Sequence, residues 1–239
     1  MEYSETKPIS IIKVRHNTKS TILDYVATEK ELDFFLEDAF VNKFYVTPKE
    51  LKELLIGFCV SEGLINPYKE GLEISFQKKN KELIAKAKIK KENAFILKKG
   101  QFQENKISIQ KIFYLSEVFE ENSCLFRKTG CFHVAAIFKD KELLAVSEDI
   151  GRYNAIDKVI GKLLLRQISP EGKILVVSCR VFRNILSKVQ KLGIKLVISR
   201  GAPTYEAIEF ANFHEITLIG FLKRGTFNIY THAWRIKDE

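Results

Sequence analysis

Residues 173–221 read KILVVSCRVFRNILSKVQKLGIKLVISRGAPTYEAIEFANFHEITLIGF, and this stretch decides the fold. Lys173–Ser178, Ile194–Ser199 and Ile216–Phe221 are short runs rich in Val, Ile and Leu, the composition of strands buried on both faces. Between them, Val181–Leu192 and Tyr205–Phe213 carry helical spacing. Strands alternating with helices imply right-handed crossovers and a largely parallel central sheet. Upstream, Phe132–Phe138 and Leu143–Ser147 read as further strands. Ala155–Leu165 reads as a helix with Ile156, Val159, Ile160, Leu163 and Leu164 on its apolar side.

The first third of the chain has a different character. Leu32–Leu36 and Phe40–Val46 are rich in β-formers and are expected to pair through the acidic turn Glu37-Asp38. Thr47, Pro48 and Glu50 then predict a helix start, with Thr47 as cap and Glu50 closing a capping box. Leu51, Leu54, Leu55 and Phe58 follow on one stripe with Cys59 beside it, and Gly63 is the expected stop. Residues 70–98 read mostly as strand, and a second helix spans Ile109–Glu120. The expectation is an α/β protein: a smaller mixed β-rich domain at 1–115 with one amphipathic helix, then an α/β domain at 116–239.

Composition narrows the class. The 239 residues are 46% hydrophobic and 29% charged, which suits a soluble globular chain. No apolar run approaches the ~18 residues that span a bilayer. Met1–Ser10 is polar and mixed in charge, unlike a secretory or transit sequence, so a cytoplasmic location is expected. Cys59, Cys124, Cys131 and Cys179 form no C-x-x-C pair, and their spacing suggests neither a zinc site nor a disulfide framework.

Net charge is +9, and part of the excess is local. Nine lysines and two glutamates lie between Lys78 and Lys99. Within that run, Ala85–Lys90 alternates with period two, the pattern of a strand with one solvated face, here read as an edge strand guarded by lysines. An anionic partner is the other reading. Nucleic acid is disfavoured, because the aromatics do not interleave with the basic residues as a stacking platform requires.

Ligands of open α/β sheets bind where strands end and helices begin. Three such junctions carry an arginine beside small residues: Gly151-Arg152, Ser178-Cys179-Arg180, and Ser199-Arg200-Gly201-Ala202-Pro203-Thr204. Gly151 lets backbone N–H groups approach a ligand, and the helix start presents the positive dipole end to phosphate. Arg152 can grip a phosphate or carboxylate through two parallel bonds. Any one junction alone reads more often as an ordinary capped loop; three in register point to a polyanion. Cys131 and His133, two apart, share a face on a regular strand. The imidazole could then lower the thiol pKa, although a strand histidine is more often structural.

Thr129-Gly130 with His133, Glu148-Asp149 with Gly151-Arg152, and Asn154-Ala155 with Asp157-Lys158-Val159-Ile160-Gly161 resemble the signature of the FdhD family of formate dehydrogenase accessory proteins. So do Ala202-Pro203-Thr204 and Gly220-Phe221-Leu222 with Phe227-Asn228-Ile229-Tyr230, and upstream Gly57-Phe58 with Ser61–Ile65. The resemblance runs from about residue 20 to 232. It implies a C-terminal domain similar to the cytidine deaminase fold without its zinc, a homodimer, and a role in formate dehydrogenase maturation. Such proteins receive persulfide sulfur from a cysteine desulfurase and pass it to the bis-molybdopterin guanine dinucleotide cofactor. Residues implied to hold that cofactor are Gly151, Arg152, Asn154, Asp157, Lys158, Ser178, Arg180, Ala202, Pro203, Thr204, Phe227 and Asn228.

The departures are chemical. Gln101 and Glu104 stand where the family carries its C-x-x-C, and neither side chain can form a persulfide. Tyr153 replaces a usual His, Cys179 a Gly and Gly201 a frequent Ser, while Phe182 and Asn184 stand where Ser and Glu are common. Two readings follow. In one, sulfur moves on a relocated thiol, with Cys131 beside His133 first and Cys179 second. In the other, the chain holds the cofactor or the apo-dehydrogenase without moving sulfur. An unrelated deaminase-like enzyme is disfavoured, since no H-x-E or P-C-x-x-C is present to hold zinc.

Overall fold

The computed structural model describes residues 4–79, 82–95, 97 and 106–238. Its first element is a two-stranded ribbon, β1 (Thr6–Arg15) against β2 (Thr18–Ala27), antiparallel throughout. β3 (Lys30–Leu36) and β4 (Ala39–Val46) form the expected hairpin. Glu37 and Asp38 both take left-handed φ, 50° and 62°, the twist that a two-residue hairpin turn needs. α1 (Leu51–Glu62) leads into β5 (Gly71–Lys79) and β6 (Glu82–Lys90), completing a four-stranded sheet in the order β4-β3-β6-β5.

β6 is therefore interior, not the lysine-guarded edge its sequence suggested. Its alternation has a simpler cause. Leu83, Ala85 and Ala87 are buried in the core, while Lys86 and Lys90 on the other face meet carboxylates. Lys86 lies 3.9 Å from Asp38 and Lys90 lies 3.6 Å from Glu73. On the same sheet Lys43 sits between Glu31 (3.0 Å) and Asp33 (3.3 Å). Such exposed pairs add little stability, but they offset much of the local charge.

Thr47 does not cap α1. The helix starts at Leu51 behind Glu50, whose φ is 56°, with no side-chain cap. Thr47 is fully buried, and its Oγ1 accepts from the Ile150 N–H at 3.2 Å. Gly63 ends the helix in the left-handed conformation, as expected.

The second half begins with β7 (Ile107–Ser108), α2 (Ile109–Glu121) and α3 (Cys124–Thr129). Next come β8 (His133–Lys139), β9 (Glu142–Asp149), α4 (Arg152–Leu165), β10 (Ile174–Val177), α5 (Arg183–Lys191) and β11 (Leu196–Ser199). The chain closes with α6 (Tyr205–Phe213), β12 (Thr217–Lys223), β13 (Thr226–Ile229) and β14 (Ile236–Lys237), which pairs with β7. The large sheet has the order β13-β12-β11-β10-β8-β9. Only β10, β11 and β12 run parallel. β8, β9 and β13 are antiparallel to their neighbours, so the sheet is mixed where a largely parallel one was expected. Short hairpin turns after β8 and β12 cause this, because a tight turn can join only antiparallel strands.

Both faces of this sheet are covered. Ala135, Ile137, Leu175, Val177, Val197 and Leu218 share a core with α1, α4, α5 and α6. On the other face Ile112, Leu115 and Phe119 of α2 pack on Val134, Ala136, Phe138, Val176 and Ile198. The expected boundary at 115/116 cuts α2, which lies wholly on the large sheet. The first core is also continuous with Leu32, Phe34, Val46 and Leu83 of the small sheet. α1 and α4 are the joint between the halves. A Cβ on Gly57 would overlap the Asp157 carbonyl, and one on Gly161 the Glu53 carbonyl, so the two backbones touch at both places. Among the described residues no helix is long and apolar enough to cross a membrane.

Candidate functional site at the carboxyl edge of the large sheet

Buried strands β10 and β11 deliver their loops to one edge, where backbone bonds lace them together. Val181 N donates to Ala202 O, and Thr204 N donates to Val181 O, both at 3.0 Å. Phe221 N, within β12, donates to Gly201 O at 3.1 Å. Ser199 Oγ donates to Cys179 O at 2.6 Å. Gly201 is required here: a Cβ would lie 2.8 Å from Arg180 N. Thr204 caps α6, its hydroxyl accepting from Ala207 N at 3.3 Å.

Two arginines converge on this edge. The Arg152 guanidinium, from the first residue of α4, lies 5.2 Å from the centre of the Phe182 ring, and that of Arg180 lies 5.7 Å from the same ring. Both are cation–π distances. Among the described residues no carboxylate pairs with either. Arg200, the third arginine, is engaged elsewhere, 3.2 Å from Glu120.

His133 opens β8 at the same edge, since Val134 N donates to Ser178 Oγ (2.9 Å) and Ser178 N to Val134 O (3.0 Å). Burial, followed by the charges of Arg152 and Arg180, pushes its pKa below 6.5, with Asp149 opposing. The edge therefore holds two uncompensated guanidiniums, a histidine kept neutral and the amino end of a fourteen-residue helix. The guanidiniums and the helix end favour an anion, and the neutral imidazole can donate a hydrogen bond to one.

Several expected ligand contacts turn out to be interior supports. Asp149, fully buried, accepts from Lys158 Nζ (2.5 Å), Gly151 N (2.8 Å), Asn154 Nδ2 (2.9 Å) and Thr47 N (3.1 Å). Lys158 is fully buried as well, and Asn154 also donates to Tyr45 O at 2.8 Å. Gly151 is needed because a Cβ would meet Asn154 Nδ2 at 2.5 Å. Asp157 binds Lys188 Nζ through both carboxylate oxygens at 3.0 Å and accepts from Ser61 Oγ at 2.7 Å. Burial pushes the Asp157 carboxyl up, while Lys188 and Ser61 pull it down. These side chains lock the start of α4 in place but do not face a ligand.

Phe227 lies on the other layer, its ring 5.4 Å from Phe113 of α2. Asn228 is exposed on β13 opposite Gly220. Of the candidate thiols, Cys131 is exposed, while Cys179 is buried with its pKa pushed up by burial to about 11. Cys59 is buried and pushed up to about 12. Gln101 and Glu104 lie outside the described residues. Three functional features escaped the sequence reading: the Phe182 ring between the arginines, Asp149 as the anchor of α4, and Lys188 as partner of Asp157. Only Lys188 left a signal, a cation on the apolar side of α5 between Ile185 and Val189.

The chain matches the model of the FdhD/NarQ family over residues 27–104 and 92–237. It is 35% identical to the sulfur carrier protein FdhD of Sulfurisphaera tokodaii, covering 97% of this chain and 99% of that one. It is 33% identical to the protein of the same name from Bacillus subtilis, covering 92% and 93%. Its fold is similar to the crystal structure of a protein assigned as a formate dehydrogenase accessory protein from Desulfotalea psychrophila. The TM-score is 0.81 at 21% identity, covering 98% and 100% of the two chains. Family signature, full-length similarity and fold agree: this chain belongs to the FdhD/NarQ family.

Proposed function

We propose that this chain is an accessory protein of formate dehydrogenase maturation that holds the phosphates of the bis-molybdopterin guanine dinucleotide cofactor between Arg152 and Arg180. The observation that carries the reading is the pair of guanidiniums set on one aromatic ring, without carboxylate partners among the described residues. Arginines without a carboxylate partner, one half-buried and one exposed, are open to a ligand that brings its own negative charge. The start of α4 adds to the same field, and neutral His133 can donate a hydrogen bond. The Ala202-Pro203-Thr204 turn, bonded to Val181, forms the adjoining wall. The mixed order of the large sheet supports the expected likeness to a deaminase fold. The family likeness also implies a cytoplasmic setting, a homodimer, and the apo-dehydrogenase and a cysteine desulfurase as partners.

Cofactor holding without sulfur transfer is the better-supported mode. Glu104 and Gln101 occupy the usual carrier positions, and burial with raised pKa values suppresses thiolate at Cys59 and Cys179. A second reading, sulfur carried on Cys131, is favoured by that thiol's exposure, although β8 begins only at His133, so the two residues do not share a strand face as their spacing suggested.

Calorimetric titration with GDP tests the site. Binding by the wild-type chain and weakening of about 30-fold or more in Arg152→Ala is expected for a lost charge-assisted contact. Equal affinity in the variant would remove Arg152 from the site. Incubation with a cysteine desulfurase and cysteine, followed by persulfide labelling, separates the two modes. Label on Cys131 selects the carrier, and no label on any cysteine selects the holder.

A further inference from the structure

Six of the exposed large apolar side chains belong to the β1–β2 ribbon: Ile9, Ile12, Val14, Leu23, Tyr25 and Val26. Ile12, Leu23 and Val14 are 68%, 66% and 59% exposed. The register sets Pro8 opposite Tyr25 and Ser10 opposite Leu23, so Pro8, Tyr25, Leu23, Ile12 and Val14 share one face. Ile9, Ile11, Ile22 and Val26 line the other. A two-stranded ribbon is at best marginally stable alone in water. This one is anchored at its root. Glu5 pairs with Lys49 at 2.7 Å, and Lys128 Nζ donates to Thr6 Oγ1 at 3.1 Å while standing 3.7 Å over the Tyr25 ring. Beyond the root the tip is basic, with Lys13, Arg15, His16 and Lys19, against the single carboxylate of Asp24 in the whole ribbon.

We propose that the ribbon is an arm that crosses to a second copy of this chain and lies on the outer face of its α2 and α3. The inference rests on the paired state put forward above and supplies its surface. On α2, Tyr114, Glu117, Val118 and Glu121 stand at helical spacing on one face. Tyr114, Glu117 and Glu121 are exposed, as is Phe126 on α3. Among the described residues Glu117 and Glu121 lie in no ion pair. The α2 face is apolar and carries the two carboxylates, while Lys141 stands over Tyr114 and α3 adds Arg127 and Lys128. The arm is apolar and basic, so the two complement each other in apolar character, and in charge at Glu117 and Glu121.

Their placement also suits a reciprocal exchange. Lys128 of α3 holds the root of the arm, so arm and landing surface are neighbours on each copy, as a two-fold pairing requires. The arm supplies the 22 residues Thr6–Ala27, against roughly 20–30 residues a side in an interface of standard size. Covering the face of Ile12, Val14 and Leu23 would explain the retention of a regular hairpin of two ten-residue strands.

Sedimentation of the full chain at micromolar concentration tests the proposal. The wild type is expected to be dimeric. Ile12→Lys with Leu23→Lys, and separately Glu117→Lys with Glu121→Lys, should each weaken the dimer by on the order of 100-fold, as loss of central contacts does. Because these positions already face solvent, circular dichroism should remain that of the wild type. Charge exchange is the sharper arm of the test: Lys19→Glu, on the face of Ile12 and Leu23, should weaken the dimer, and adding Glu117→Lys with Glu121→Lys should restore it. A monomeric wild type would overturn the paired state and the arm together. A dimer indifferent to the ribbon or α2 substitutions, or a charge exchange that fails to restore pairing, would overturn the arm alone.

Discussion

Lys188 Nζ bonds both carboxylate oxygens of Asp157 at 3.0 Å in the interior, joining α5 to α4 where α1 crosses them. The carboxylate is 1% exposed and the ammonium 7%. Lys188 also pairs with Glu62 at 2.7 Å, so Asp157→Asn leaves the ammonium one carboxylate, whereas Lys188→Met leaves Asp157 without a counter-charge in a medium that solvates it poorly. Lys188→Met should cost about 3–5 kcal/mol of unfolding free energy, and Asp157→Asn less. Double replacement by apolar residues should cost much less than the two singles together. Urea unfolding of the four proteins checks this, and additive losses would show that the pair is not coupled.

The crossing of α1 and α4 gives a steric prediction. Gly161→Ala places a methyl group on the Glu53 carbonyl, and backbone on a packed helix cannot swing aside as a side chain can. The substitution should destabilise the chain by about 1–3 kcal/mol, the usual penalty of overpacking. This would occur despite the better helix propensity of alanine. Thermal unfolding measures it, and an unchanged or raised Tm would show that the helices separate freely.

Thiol accessibility should divide the four cysteines into pairs. Cys124 and Cys131 are exposed, while Cys59 and Cys179 are buried with raised pKa values. A thiol reagent at neutral pH should modify two groups quickly and the other two only on unfolding. Peptide mapping identifies them. Fast labelling of Cys179 would contradict the packing at the end of β10.

His133 should respond to acid. Its pKa in the folded chain lies below 6.5, held there by burial and by Arg152 and Arg180. In the unfolded chain the imidazole therefore takes up a proton at higher pH than in the folded one. The stabilisation is fully present above the unfolded pKa and declines as pH falls from about 6.5 toward the folded value. Arg152→Ala should raise the His133 pKa, and a phosphate ligand at the arginines should raise it too. Two-dimensional NMR of the imidazole follows both, and a pKa unmoved by either would separate His133 from the arginines.

Much of the second half was legible because a buried parallel strand and an amphipathic helix write different periods. Residues 173–221 carry both cleanly, and β10, α5, β11, α6 and β12 followed. The ribbon was missed because its apolar residues alternate on two faces with no core beneath either, which resembles neither a half-buried strand nor a loop. Thr47 looked like a cap because capping is local, whereas its actual partners, Asp149 and Ile150, are about a hundred positions away. Asp157 and Lys158 looked like ligand residues for a related reason. A charge at the start of a helix reads the same whether it faces solvent or a buried counter-charge. Arg152 and Arg180 were found at the strand ends, but nothing local foretold the phenyl ring between them.

The meeting of α1 with α4 also bears on how this protein can be divided. Gly57 and Gly161 allow carbonyl groups to press where side chains would otherwise hold two helices apart, so neither half finishes its own surface. Cut between the small sheet and the large one, each fragment would display a glycine-floored furrow that nothing of its own could fill. The chain should melt in one transition, and neither half is a part that gene fusion could carry off and use elsewhere.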